Sequence, residues 1–245
     1  KTLGNGISVG VIASGGVMLL VLPFVDQWLR LIGASDAVLP YARDYLVIIM
    51  YSLPFQILTM ALLNFSRAEG NARIGMIAMV LAAVVNVALD VVFIVWLGYG
   101  VKGAAWATFL SQVTSLVVFG LFYLNGWSYL KFQTANLKLD LAILRPMFAI
   151  GIGAFMQVVS GSLSGMILIN AAVHYGGDYA VSALGITQRL FMFAVMPSIV
   201  LAQGAQPIVG FNYGARRFHL ALKAVTIAFI SSTTLGTAGF LFLYF

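Results

Sequence analysis

Charge is what this sequence has least of: 8% of its 245 residues are Asp, Glu, Lys or Arg, where a soluble domain carries about a quarter. With 62% hydrophobic residues and a mean hydropathy of +1.02, the chain falls outside the soluble class and reads as an integral membrane protein. Cysteine is absent, which excludes a disulfide framework and any thiolate metal site, and removes redox compartment as an argument. Histidine occurs only at His174 and His219, in separate loops on opposite sides of the membrane, so neither a two-histidine metal site nor a Ser-His pair can be assembled. A zinc-protease helix, a nucleophile elbow and a glycine-rich phosphate loop ending in lysine are all missing. Hydrolytic chemistry and ATP-driven work are therefore excluded, no cofactor is expected, and an ion gradient remains as the energy supply. The net charge of +6 suits loops enriched in Lys and Arg on one side of a membrane, and no nucleic-acid partner is read from it.

What the sequence does contain is apolar runs long enough to cross a bilayer, which takes about 20 residues at about 1.5 Å each. The stretch 71–115 organises the chain as a hairpin of two membrane helices. Its first arm carries Asn86 and Asp90, four residues apart and so on one helix face, and the turn Gly98-Tyr99-Gly100-Val101 leads to a second arm holding Thr108. Counted at the helical rise, Asp90 lies about 12 Å and Thr108 about 10 Å below that turn, so the three polar groups sit at similar depth. A carboxylate at that depth costs several kcal/mol unless it faces a bundle interior or water, which makes it a functional candidate. Burial disfavours its charged form, whereas a bound cation or hydrogen bonds from Asn86 and Thr108 favour it; such a group can exchange H⁺, or its oxygens can ligate Na⁺ as a hard cation.

The other crossings are expected at about 6–26, 45–63, 146–173 and 180–208, with a last one running out at Phe245. Gly6 and Gly10, like Gly161 and Gly165, have the spacing of close helix packing. Pro54 and Pro197 are expected to bend their helices, and Tyr51 and Gln56 near the first of these bends are candidate cavity residues. On the fourth crossing Ala104, Thr108, Ser111, Gln112 and Ser115 form a small and polar stripe that must face protein or water; packing glue and cavity lining are equally open for it. Gln157 and the deep cation Arg189 are further cavity candidates, although a structural contact explains Arg189 equally well. Between 129 and 145 charges alternate with apolar residues, including Lys131, Phe132, Lys138 and Arg145, as in an interfacial linker between two lobes. Lys1, Arg67, Arg73, Lys131, Lys138, Arg145, Arg216, Arg217 and Lys223 collect on one side, against Arg30, Arg43 and Lys102 on the other. The richer side is expected to be cytoplasmic.

Two blocks carry a family resemblance. Gly70-Asn71-Ala72-Arg73, then Asn86-Val87-Ala88-Leu89-Asp90 and Gly100-Val101-Lys102-Gly103-Ala104-Ala105-Trp106-Ala107-Thr108, resemble the multidrug and toxic compound extrusion (MATE) transporters, most like their DinF-type branch. Ala183-Leu184-Gly185-Ile186-Thr187-Gln188-Arg189 and Gly204-Ala205-Gln206-Pro207-Ile208-Val209-Gly210-Phe211-Asn212-Tyr213-Gly214-Ala215 agree with it. The resemblance implies an all-α polytopic fold of two six-helix lobes, of which this chain looks like helices three to nine, an incomplete bundle of about seven helices. It divides the chain into part of an amino-terminal lobe (1–128), a cytoplasmic linker (129–145) and part of a carboxyl-terminal lobe (146–245). It implies H⁺- or Na⁺-coupled export of organic, cationic compounds by alternating access, from the cytoplasmic membrane of a prokaryote, by a protein that is monomeric at full length. Asn86, Asp90 and Thr108 match the polar cation site of DinF-type relatives; the partner acid on the family's first helix has no counterpart in this sequence. The acid that other branches carry on the helix matching 146–173 is missing as well, with Gln157 among that run's polar residues. A lipid-linked oligosaccharide flippase of the same superfamily, whose cavity needs several cations where this chain has Arg189 alone, and a non-transporting membrane scaffold are the alternatives.

Overall fold

The computed structural model describes residues 1–31, 34, 36, 38–130 and 134–244, the side chains of 134, 135, 178, 181 and 242–244 excepted; Lys131, Phe132 and Phe245 lie outside the described residues. Seven helices are long and apolar enough to cross a membrane: α1 (Thr2–Leu31), α2 (Leu39–Ala68), α3 (Ala72–Trp96), α4 (Gly100–Leu124), α5 (Leu141–Gly177), α6 (Ser182–Gly214) and α7, which begins at Phe218. No strand occurs among the described residues. α1 and α2 outrun the apolar stretches that predicted them, at 6–26 and 45–63, and charges in the added turns are paired. Arg43 in the first turns of α2 meets Asp26 of α1 at 3.6 Å, and Asp44 meets Lys102 of α4 at 3.1 Å.

The chain divides into two compact units, Lys1–Arg145 and Pro146–Phe245. In the first, α1 to α4 pack around Leu3, Leu62, Leu63, Ala78, Phe119, Phe122 and Tyr123. Small residues bring the backbones together: Ala78, Ala105 and Ala107 are fully buried, and Gly10 lies against Ile57 and Leu58 of α2. The Asn71 side chain caps α3 by accepting from the Ile74 amide at 3.4 Å. The stretch after α4 is pinned to this unit, since Ser128 donates to Glu69 at 2.7 Å, Ser8 donates to the Leu137 carbonyl at 2.7 Å, and the Asp140 amide donates to Asn5 at 2.7 Å.

In the second unit the helical run Leu141–Gly214 is broken at Gly177, whose φ of 58° and ψ of −157° separate α5 from α6. Ser198 of α6 donates to the Ser232 carbonyl of α7 at 3.3 Å. Gly161 and Gly165, expected to pack closely, meet no neighbour within 4 Å. Pro54 and Pro197 both lie inside continuous helix. Within the helices of the first unit the backbone departs from α geometry at a 3₁₀ turn, Leu22–Phe24, within α1 and at a π-helical stretch, Val91–Trp96, that ends α3.

Candidate functional site

Polar side chains of three helices come together where α4 packs closely against both α2 and α3, which leaves a cavity of about 340 Å³ among them. Gln56, Asn86, Thr108 and Gln112 line it, as do Thr59, Ser111 and the methionines Met60 and Met79. Four of the predicted site residues are thus brought together. Tyr51 is not among the lining residues and is half exposed. Gln157 and Arg189 are exposed on α5 and α6 of the second unit. The groove of about 480 Å³ between α6 and α7 is lined by neither of them, but by apolar residues with Asn212, Ser231 and Lys223.

Asp90 follows Asn86 by one helical turn and is not itself among the lining residues. Its Oδ1 is buried with no hydrogen-bond partner. Thr108 does not supply the hydrogen bond expected of it: its hydroxyl donates to the Ala104 carbonyl at 3.0 Å, one turn back in its own helix. With its hydrogen so directed, the Thr108 oxygen presents lone pairs, and it can accept or ligate but not donate. The lower stripe of α4 divides in the same way. Ser111 donates to the Thr108 carbonyl at 2.8 Å, while Ser115 reaches across to the Ala78 carbonyl of α3 at 3.1 Å. Thr108, Ser111, Gln112 and Ser115 thus all line the cavity, and Ser115 also bonds α4 to α3.

Thr59 was missed by sequence reasoning. It is buried, its Oγ1 has no partner, and it lies three residues after Gln56 on the cavity-lining face of α2. That spacing was the available signal. Among the described residues no group of three or more His, Asp or Glu side chains could hold a metal ion.

The MatE family model matches residues 1–92 and 153–245, with a match in each unit. The chain belongs to the MatE family. The multidrug export protein MepA of Staphylococcus aureus (strain N315) is 31% identical over 226 residues, which is 91% of this MatE chain and 49% of the relative. MepA of Staphylococcus haemolyticus (strain JCSC1435) is 31% identical over 214 residues, 86% of this chain and 47% of the relative. The chain thus spans about half the length of the curated relatives it matches. The structure of the MATE multidrug transporter DinF-BH in complex with R6G is similar with a TM-score of 0.87 at 32% identity, over 98% of this chain and 54% of that one. This MatE chain is a multi-pass integral membrane protein of the plasma membrane, with the all-α fold of MATE transporters.

Proposed function

We propose that this chain is part of a cation-coupled multidrug exporter that works by alternating access, with H⁺ or Na⁺ binding at Asp90 biasing one of its states. The activity is transport rather than catalysis. The observation that carries the reading is a buried carboxylate oxygen without a partner, one turn from a polar cavity with Asn86 and Thr108 on its walls. An unpaired charge in the membrane interior costs about 3 kcal/mol or more. A proton on the carboxyl group removes that cost by making it neutral, and a hard cation removes it by ligation to oxygens, with the Asn86 amide oxygen and the Thr108 lone pairs as further donors. Small organic cations are the proposed cargo. Met60 and Met79 in the cavity wall supply a soft surface that adapts to several shapes. The export role named for the MepA relatives supports the same reading.

The test is gradient-driven drug efflux by the full-length protein. Asp90→Asn keeps size and polarity but removes the exchangeable charge, so it abolishes coupled efflux while the protein is inserted at the normal level. Undiminished efflux from that variant removes Asp90 from the coupling.

A further inference from the structure

Asp90 is the last α-helical residue of α3, and the next six residues, Val91–Trp96, form a π-helix. A π turn bonds each amide five residues back instead of four, so it is wider than an α turn and rotates whatever follows it. Here the Leu97 amide donates to the Val92 carbonyl at 2.9 Å, and the Tyr99 amide takes the Phe93 carbonyl at 2.9 Å. In a regular α-helix that Phe93 carbonyl would belong to Leu97. The widened turn thus begins directly after the acid and ends where α3 reverses into α4.

The facing helix approaches this turn closely. Gly103 of α4 is buried against Phe93, and a Cβ there would lie 2.9 Å from the Phe93 Cβ and 3.0 Å from its carbonyl carbon and oxygen. Two of those three atoms are backbone and cannot rotate away. The lack of a side chain at Gly103 is what lets the two backbones come this close. On the other side of the turn the Phe93 ring stacks on Tyr99 with centroids 6.3 Å apart, and Lys102 ties the start of α4 to Asp44 of α2 at 3.1 Å.

We infer that Gly103, acting through the Phe93 backbone, is a positioning residue that maintains the π turn and thereby the placement of the Asp90 carboxyl group, one oxygen of which is buried without a partner. The inference rests on the coupling role of Asp90 proposed above. A Cβ at Gly103, or the loss of one residue from the π stretch, returns the turn toward α geometry and rotates the acid relative to α4. Because a misplacement of about 1 Å costs up to about 100-fold in function, the shift is readily measured.

The experiment uses the full-length protein and reads the H⁺ or Na⁺ concentration that gives half-maximal efflux, with inserted protein measured alongside. Gly103→Ala and deletion of Ile94 are expected to move that concentration by about tenfold at unchanged insertion. Gly120→Ala, at a glycine of the same helix with nothing within 4 Å, leaves it in place. If Gly103→Ala and the deletion are not inserted, Tyr99→Ala decides: Tyr99 is 56% exposed, so its loss is tolerated, and a shift of about threefold supports the inference. A wild-type cation dependence in the inserted variants overturns it, as does an equal shift in Gly120→Ala. Asp90→Asn in the same assay separates the two claims. Retained coupling there overturns the parent reading and this one together, whereas lost coupling there with wild-type cation dependence at Gly103→Ala overturns this one alone.

Discussion

Thr59 and Thr108 line the same cavity and use their hydroxyls differently. Thr108 donates to its own helix, a common resolution for threonine in a membrane, and costs little there. Thr59 is 7% exposed and its oxygen has no partner, so it carries an uncompensated desolvation penalty. Thr59→Val removes the hydroxyl at nearly constant volume. It is expected to leave thermal stability unchanged or to raise it by about 1 kcal/mol, and at the same time to reduce efflux. Melting of the purified full-length protein beside an efflux assay checks both halves, and a stability loss with normal efflux would make Thr59 an ordinary core residue. The position of Asn86 one turn before Asp90 was legible from spacing alone. The destination of the Thr108 hydrogen was not, because a hydroxyl chooses among acceptors that become its neighbours only once the helix exists.

At the scale of elements, the hairpin of α3 and α4 is held by very small side chains against one large one. Ala78 and Phe119 are both completely buried in the same cluster, and Ser115 bonds to the Ala78 carbonyl beside them. Truncating the large partner opens a hole that these neighbours cannot fill. Phe119→Ala is expected to cost about 3–5 kcal/mol and to lower the amount of folded protein sharply, measured by fluorescence-detected size exclusion of the full-length protein. The existence of both helices followed from run length, whereas their irregularities did not. Pro54 sits inside α2, whose helix continues through it because a single missing amide hydrogen need not end a helix within a membrane span. The π stretch lies against Gly103, ten positions from Phe93 across a turn, a contact that no local pattern encodes.

For the molecule in its membrane, orientation rests on where unpaired cations collect. Arg30, Arg43 and Lys102 are each bound to an acid, Asp36, Asp26 and Asp44 in turn, at 2.9, 3.6 and 3.1 Å. Exposed pairs of this kind contribute less than about 1 kcal/mol each to stability, but they leave that side close to neutral. The opposite side keeps Lys1, Arg73, Lys138 and Arg145 exposed, which sharpens the charge bias beyond the bare count. These 245 residues contain no cysteine, so a single introduced thiol reports its own position once any cysteine elsewhere in the full-length protein is replaced. A thiol placed by Tyr99→Cys is expected to react with an impermeant reagent on intact cells, and one placed by Tyr129→Cys only after the membrane is opened. The reverse pattern would invert the topology and put Asp90 near the inner leaflet.

The sequence by itself determined that the chain lives in a bilayer, how many times it is long enough to cross, and that one acid lies at depth with an amide one turn away. These follow from local quantities, namely the length of apolar runs and the pitch of a helix, against a solvent of known thickness. Only the tertiary structure decided that Gln56, Thr59, Asn86, Thr108 and Gln112 share a cavity, that Tyr51 stands outside it, and that the backbone widens just after Asp90. Those outcomes depend on how closely α2, α3 and α4 approach, and that distance is set by side chains such as Ala78 and Gly103 meeting partners far away along the chain.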